Sequence, residues 1–369
     1  MKNEEKIEVV IAGDDYMDPD LIKNIIIQRM EDDLSDRFRF RLIKFPYPEE
    51  KITLRPETVV PSGMSWTDFD GVLKGDGAEE FYGDIHALEG KLEGAEVLVV
   101  HGAAVTGKVL QDAKELKLIG VLRGGPKNID VATARKLGIR LVNTPGKTSR
   151  AVAESMIGSL LALTRNIARA SRQLQGEGIW SPIYYRYSEC GIELEGKTLG
   201  LIGFGHIAEK ITRMLKGFDL SGILAYDPFR SPEEIVKHGA QPASLPEILE
   251  QCDIISLHAR LSESSRNLIS VKEFNRMKKK PILINTARGG LLDYSALISA
   301  LKTGQVSGAV LDVFGDEPFS TYQELLRMKN VVATPHIAGG SRETVHRAAE
   351  MIAEELKRYA LGQPFVNEM

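Results

Sequence analysis

The chain has 369 residues, 43% of them hydrophobic and 27% charged, with a formal net charge of -4. This length favours two domains over one, and the charge lacks the basic excess of a nucleic-acid-binding protein. The polar start M-K-N-E-E-K-I-E and the lack of a long apolar run exclude a signal peptide and a membrane span. Cys190 and Cys252 are too few for a disulfide framework, so we expect a cytoplasmic protein with no nucleic-acid or membrane partner.

Short β-branched runs alternate with amphipathic segments in the first 150 residues, which is the pattern of a parallel α/β sheet. The predicted strands of this part are Ile7 to Ala12, Phe38 to Ile43, Val97 to Val100, Leu118 to Leu122, and Leu141 with Val142. The segment from Pro46 to Gly77 has weak periodicity and is rich in Pro, Gly and charged residues. This composition predicts an irregular segment that runs over the surface.

A long helix is predicted from Ser149 to Ile167. Its apolar residues form two stripes, one of Val152, Met156, Leu160 and Leu163, the other of Ile157, Leu161 and Ile167. Two apolar faces indicate burial by more than one neighbour. A partner subunit and the rest of the same chain explain this equally well.

From Lys197 onwards the alternation is very regular and predicts a complete doubly wound domain. Its strands are Thr198 to Gly203, Ile223 to Tyr226, Ile254 to Leu257, Ile282 to Asn285, Gly308 to Leu311 and Val331 to Thr334. A last helix, Arg342 to Tyr359, is expected to pack with the first 150 residues. The predicted fold is therefore α/β, with a Rossmann domain (149–340) inserted into a discontinuous flavodoxin-like domain (1–148 and 341–369).

The turn G-F-G-H-I-A lies between a predicted strand and a predicted helix, where a dinucleotide-binding fingerprint belongs. Gly203 permits the tight turn, and Gly205 lets the backbone approach a pyrophosphate. The free amides at the helix start, on His206 and Ile207, can bind its charge. We expect the His206 ring itself to be solvated.

Asp227 follows the next strand, 22 positions after Gly205. An acid there can accept hydrogen bonds from the ribose hydroxyls of NAD and repels a 2′-phosphate. Arg230 lies close to Asp227 in the sequence, and its positive charge weakens the argument against a 2′-phosphate. The acid nevertheless favours NAD over NADP. The alternative is a turn-forming Asp before Pro228.

Three polar residues each follow a predicted strand: Arg288 in N-T-A-R-G-G, Glu317 in L-D-V-F-G-D-E-P and His336 in T-P-H-I-A-G-G. A guanidinium fork matches a carboxylate and a ketone oxygen, and an imidazole exchanges a proton near neutrality. A carboxylate paired with the ring orients it and raises its pKa. Singly, each could be a surface or turn residue. Together they predict reduction of a 2-keto acid, with no metal.

With these motifs, in this order, the sequence resembles the D-isomer-specific 2-hydroxyacid dehydrogenases over about Val97 to Thr344. The resemblance implies that Arg288 binds substrate, Glu317 pairs with the histidine and His336 is the acid/base. It also implies that Thr286 and Asp312 contact the cofactor, and that the protein is a homodimer without a regulatory domain. Formate dehydrogenases of the family carry glutamine in place of Glu317, so formate is not expected as substrate.

The resemblance places the substrate carboxylate on a loop of the first domain, V-V-H-G-A-A-V-T, at Gly102 and Ala103. A second loop, R-G-G-P-K-N-I-D, is two residues shorter than the family pattern, which leaves the substrate-binding role expected for Gly124 open. Arg260 stands where the family commonly has proline, and could meet an anionic group of the substrate or pair with Glu263. We favour the pairing.

Two alternatives to the dehydrogenase remain. One is an NADH-binding regulator similar to the transcriptional corepressors that share this fold and triad. The other is a dehydrogenase of phosphite or a similar oxyanion, for which the same arginine and histidine are suited. The sequence does not predict which 2-hydroxy acid is used.

Overall fold

The structure is a computed structural model that describes residues 6–30, 32–46, 77–78, 81, 83–315, 317 and 322–369. Within these residues the chain divides into two compact units, one formed up to Lys147 and again from Ser341, the other from Thr148 to Gly340. Most of the segment from Pro46 to Gly77 lies outside the described residues. In the described part, no helix is both long and apolar enough to cross a membrane.

The first unit is built on a five-stranded parallel sheet with the order β2-β1-β3-β4-β5. Its strands are β1 (Ile7–Gly13), β2 (Phe38–Lys44), β3 (Val97–Val100), β4 (Leu118–Val121) and β5 (Arg140–Val142). Its helices are α1 (Pro19–Arg29), α2 (Asp32–Ser35), α3 (Gly107–Asp112), α4 (Val131–Lys136) and α12 (Arg342–Ala360). The strand order is flavodoxin-like, as predicted. The direction in which successive strands are added to the sheet reverses between β1 and β3.

The strands of this unit alternate their side chains between two buried layers, as the period of two requires. Val9 and Val99 pack on the side of α1 and α12, and Val10 and Leu98 pack on the other side. The last helix α12 therefore completes the first unit, with Ile352 fully buried against its sheet.

The second unit contains a seven-stranded parallel sheet with the order β12-β11-β10-β9-β6-β7-β8. Its strands are β6 (Thr198–Ile202), β7 (Gly222–Tyr226), β8 (Gln241–Pro242), β9 (Ile254–Leu257), β10 (Ile282–Asn285), β11 (Gly308–Leu311) and β12 (Val331–Ala333). Its helices are α5 (Ser149–Thr164), α6 (Ile167–Ser171), α7 (His206–Met214), α8 (Pro232–Lys237), α9 (Leu245–Gln251), α10 (Val271–Phe274) and α11 (Tyr294–Lys302). This is the predicted doubly wound order, with its reversal between β6 and β9.

The predicted helix from Ser149 to Ile167 is wrong in its last part. Helix α5 ends at Thr164 because Asn166 adopts a left-handed conformation, with φ 58°, before α6 begins. Asparagine tolerates that conformation better than most residues. Met156 and Leu160 of the first stripe are fully buried within the second unit, whereas Ile167 is 56% exposed.

Candidate active site

The three polar patches follow three neighbouring strands of the second unit. Arg288 lies just after β10, Glu317 after β11 and His336 after β12, and these strands are adjacent in the sheet. Because parallel strands end at one edge, all three side chains arise from the carboxyl edge of the same sheet. Ligands bind at this edge in open α/β folds.

Glu317 and His336 form a hydrogen bond, with 2.7 Å between Nδ1 of the ring and Oε2 of the carboxylate. The other carboxylate oxygen accepts a hydrogen bond from the Phe314 amide at 2.9 Å. A carboxylate can only accept, so Nδ1 carries the hydrogen and Nε2 is the nitrogen left for proton exchange. The glutamate is thus held at one end by the backbone and orients the ring at the other.

The pKa of His336 is raised above its usual value by this pairing. Desolvation of the ring by surrounding protein lowers the pKa, but the hydrogen bond and the charge of Glu317 outweigh it. The positive charge of Arg288 lowers the pKa and that of Asp312 raises it, by smaller amounts. Arg288 therefore lies close enough to His336 for their charges to interact.

Asp312, which is 2% exposed, organises the loop that presents His336. One of its carboxylate oxygens accepts from the Thr334 hydroxyl and the Ile337 amide, and the other accepts from the Ala338 amide. His336 itself has φ 53°, a strained conformation for a residue with a side chain. These hydrogen bonds hold the strained loop, a role that sequence analysis did not assign to Asp312.

The turn that carries Arg288 is held by the buried Asn285. Its side-chain amide donates to the Arg288 carbonyl at 2.9 Å, and its side-chain oxygen accepts from the Ala287 amide at 3.1 Å. A Cβ on Gly289 would lie 1.7 Å from the Phe314 carbonyl oxygen, so only glycine fits there. The Arg288 turn therefore packs directly on the segment that anchors Glu317.

The glycine-rich turn joins β6 to α7. Gly203 has φ 92°, and a Cβ there would lie 2.5 Å from the Ala259 amide nitrogen. A Cβ on Gly205, at the N-cap of α7, would meet nothing within 4 Å. Gly203 is thus required by the protein's own packing, whereas the open space beside Gly205 fits a ligand that approaches the backbone of His206 and Ile207.

Asp227 links the end of β7 to this turn. Its carboxylate accepts from the Phe204 amide at 2.7 Å and from the Phe229 amide at 2.8 Å. The hydrogen bond from the Phe229 amide forms the turn expected of an Asp before proline. The hydrogen bond from the Phe204 amide ties Asp227 to the glycine-rich turn. Arg230 is bound by the carboxylates of Glu209 and Glu234, so its charge is already matched within the protein.

Two further predicted residues differ in how the structure supports them. The buried Thr286 hydroxyl has no hydrogen-bond partner among the described residues, which fits a residue that lies against a cofactor. The salt bridge that we favoured between Arg260 and Glu263 is absent from the described residues. Instead, the Ser265 hydroxyl accepts from the Ser262 amide and donates to the Arg260 carbonyl. The expectation of that pairing is wrong, and Arg260 is exposed.

The loop after β3 in the first unit is buried at Gly102 and Ala103, and their amides donate to no described residue. Asn128 lies behind this loop and donates to the carbonyls of His101 and Ala103. In the shortened loop, Gly124 accepts through its carbonyl from the Asn143 side chain. Sequence analysis missed Asp14 and Lys147, which lie beside His101, because no motif marks them.

The family model described as "D-isomer specific 2-hydroxyacid dehydrogenase, NAD binding domain" matches residues 157–338. The hydroxypyruvate reductase of Thermotoga maritima is 39% identical over 264 residues, which are 71% of this chain and 83% of that protein. The chain belongs to the D-isomer-specific 2-hydroxyacid dehydrogenases. Members of this family are NAD-dependent oxidoreductases, and the glycine-rich turn described above lies in the NAD-binding domain.

Two other comparisons agree with this family. The D-3-phosphoglycerate dehydrogenase of Archaeoglobus fulgidus is 38% identical over 74% of this chain, which spans only about half, 51%, of that relative's length. The apo-structure of D-lactate dehydrogenase from Escherichia coli has a TM-score of 0.70 and 25% identity, covering 98% of this chain and 99% of that chain.

Alanine substitution of the two glycines in the glycine-rich turn, which we also call the NAD turn, is expected to have different effects on stability and on NADH binding. Gly205→Ala should keep its melting temperature, because its Cβ enters open space, but should weaken NADH binding by about tenfold or more, which is 1.4 kcal/mol or more. Gly203→Ala should lower the free energy of unfolding by about 1–3 kcal/mol from backbone strain alone. Thermal melts and NADH fluorescence titrations measure both effects. Normal NADH affinity in Gly205→Ala would contradict the cofactor-binding role proposed below for this turn.

Glu317→Gln is expected to lower the pKa of His336, because the amide removes the charge that offsets desolvation. In the reaction proposed below, reduction needs the protonated ring, so its rate is lost as pH rises through the pKa of His336. In the variant this loss should begin at lower pH. Glu324→Gln makes the same change at an exposed residue paired with Lys302, and should leave the pH profile of kcat unaltered. If kcat of Glu317→Gln falls at the same pH as that of the wild type, Glu317 does not act through His336.

Proposed function

We propose that this chain transfers a hydride between NAD(H) and C2 of a small 2-hydroxy or 2-keto acid, acting on the D isomer. The observation that carries the proposal is the Glu317–His336 hydrogen bond next to Arg288, at the carboxyl edge of the sheet that also bears the NAD turn. A proton donor and a guanidinium beside a nicotinamide cofactor are the groups that ketone reduction requires.

In the reducing direction, we assign Arg288 to the substrate carboxylate and ketone oxygen. The guanidinium fork can bind both oxygens and stabilise negative charge as it develops on the ketone. His336 donates the proton from Nε2, while Glu317 keeps Nδ1 protonated and stabilises the imidazolium form. In oxidation the neutral ring takes the proton from the hydroxyl.

NAD supplies or accepts the hydride when it is bound. Gly203, Gly205 and the amides of His206 and Ile207 would hold its pyrophosphate, and Asp227 its ribose. The orphaned hydroxyl of Thr286 would contact the cofactor, and Asp312 would reach its carboxamide while holding the His336 loop. Since Glu209 and Glu234 already bind Arg230, its charge is not available to a 2′-phosphate, and NADH should be preferred over NADPH.

In the first unit we assign substrate binding to the amides of Gly102 and Ala103, with Gly124 on the neighbouring loop. The support is that both amides are buried and donate to no described residue. A buried amide without a partner is unfavourable unless a ligand or water accepts from it. The carboxylate of the substrate is a suitable acceptor.

A panel of short 2-keto acids with NADH and with NADPH, followed by loss of absorbance of the reduced cofactor, tests the proposal. We expect turnover of at least one keto acid with NADH and much slower turnover with NADPH. NADH binding without turnover of any acid would favour a regulatory sensor. Oxidation of phosphite with no activity on keto acids would favour an oxyanion dehydrogenase.

We further propose a cytoplasmic homodimer. Both cysteines are free thiols, Cys190 exposed and Cys252 buried, which suits a reducing compartment. Trp180, Tyr185 and Tyr187 are 84–98% exposed, and exposed aromatic residues are enriched where proteins associate. Light scattering of the purified protein measures its oligomeric state directly.

A further inference from the structure

A cluster of ionisable side chains surrounds one carboxylate in the first turn of α7. Glu209 lies three residues after the start of this helix, and its side chain is only 18% exposed. Its Oε1 lies 3.2 Å from Nη2 of Arg230 and 3.8 Å from Nε2 of His238, and its Oε2 lies 3.6 Å from Nδ1 of His206. Three groups that can carry positive charge therefore converge on a single negative one.

The whole cluster belongs to the second unit and adjoins the NAD turn. His206 is the first residue of α7, where that turn ends. Arg230 stands three residues after Asp227, whose carboxylate accepts from the Phe204 amide within the turn. The ring of Phe204 lies 6.3 Å from the ring of His238. The cluster is therefore held beside the acid that we assign to the ribose of NAD.

Two carboxylates of unequal exposure share Arg230. Its Nη2 donates to Glu209, and its Nη1 donates to Glu234 at 3.0 Å. Glu234 is 49% exposed and also accepts from the Ser231 amide at the start of α8, so water and the helix cap compete for its charge. Exposed ion pairs of this kind contribute little, whereas Glu209 is better shielded from water and interacts more strongly. Glu209 is therefore the main group that neutralises Arg230.

The groups around Glu209 are those that a phosphate would use. An arginine near the ribose accommodates the 2′-phosphate of NADP in folds of this type, and its planar fork matches phosphate oxygens. With Glu209 in place, Nη2 of Arg230 is occupied and the carboxylate would repel the phosphate. Without the charge of Glu209, this nitrogen and the rings of His206 and His238 could all face a phosphate.

We propose that Glu209 is a specificity-determining residue, which prevents binding of a 2′-phosphate by occupying Arg230 and facing the two histidines beside it. The second unit thus contains a phosphate site that one carboxylate masks. Asp227 discriminates through the ribose hydroxyls, whereas Glu209 acts through Arg230. This inference rests on the proposed function, whose choice of cofactor it explains.

Glu209→Gln tests the proposal, because the amide keeps the shape of the side chain and removes its charge. The dissociation constant for NADPH should fall by about 10- to 100-fold, the effect of one hydrogen bond between a protein and a charged group. The constant for NADH should stay nearly unchanged. Fluorescence titration measures both cofactors. Calorimetry with 2′,5′-ADP and 5′-AMP, which differ only in the 2′-phosphate, gives the same comparison without a nicotinamide and without turnover.

Glu250→Gln is the matched control, because it removes the same charge from a glutamate of α9 that pairs with Arg276 and Lys278. It should not alter the ratio of NADPH to NADH affinity. The double variant Glu209→Gln/Arg230→Gln should lose the gain in NADPH affinity, since Arg230 donates the new bond. A purely structural ion pair predicts a lower melting temperature for Glu209→Gln and an unchanged affinity ratio.

An unchanged affinity ratio in Glu209→Gln would overturn the proposal. Equal gains for both cofactors would also overturn it, because they would report only the loss of a negative charge near the pyrophosphate. A gain that persists in the double variant would exclude Arg230 and overturn it as well. If Glu209→Gln gains affinity for 2′,5′-ADP over 5′-AMP but no keto acid is reduced, the proposed hydride transfer fails and the role of Glu209 stands.

Discussion

His336→Asn is expected to lower kcat for keto-acid reduction by about 100- to 10,000-fold, the usual effect of losing a positioned proton donor. Asparagine suits this position because His336 has φ 53°, which asparagine adopts with little strain. The loop held by Asp312 should therefore keep its conformation. The loss then reports on the missing Nε2 and not on a disordered loop.

NADH affinity of His336→Asn should stay close to that of the wild type, because the NAD turn lies between β6 and α7. Stopped-flow measurement of a single turnover, together with NADH fluorescence titration, separates chemistry from cofactor binding. His346→Asn, an exposed histidine on α12, is the control and should retain full activity. Normal turnover by His336→Asn would remove His336 from the reaction.

Arg288→Lys is expected to lower kcat/KM by about 30- to 1,000-fold, from the loss of roughly 2–4 kcal/mol when a bidentate charged contact is broken. An ammonium keeps the positive charge but cannot bind two oxygens as a planar fork. Because the charge is kept, its effect on the pKa of His336 should change little. The pH profile should therefore stay in place while the rate falls.

Both KM and kcat should change in Arg288→Lys, since we assign the guanidinium to the ground-state carboxylate and to the developing negative charge on the ketone. Steady-state kinetics with the best keto acid measure the two effects. Arg276→Lys, at an exposed arginine near Glu250, is the matched control. A variant with the wild-type kcat/KM would show that the fork geometry of Arg288 is not used.

Much of the fold could be predicted because burial leaves a period in the sequence. Continuous apolar runs such as Ile282 to Asn285 and Gly308 to Leu311 predicted buried parallel strands whose bounds the structure repeats. Where a local backbone conformation decided the outcome, periodicity failed. The apolar stripe continued to Ile167, but the left-handed Asn166 ended the regular helix at Thr164.

The candidate triad could be predicted because each of its members follows a strand, and parallel strands end at one edge. The residues that hold the triad in position could not be predicted. Asp312 accepts hydrogen bonds from a loop that begins 22 residues later. Glycine is required at position 289 because the carbonyl of Phe314 lies where a Cβ would be. Neither contact has a periodic or compositional signal.

By itself, the sequence determined two parallel α/β sheets, an NAD turn and three polar residues at strand ends, because these depend on local residue type and spacing. Only the tertiary structure decided that Asp14 meets His101 across 87 residues of chain, and that Lys147 is buried beside them without a described partner. Burial and pairing depend on which distant segments pack together, and these contacts decide which charges are paired within the described residues and which are not.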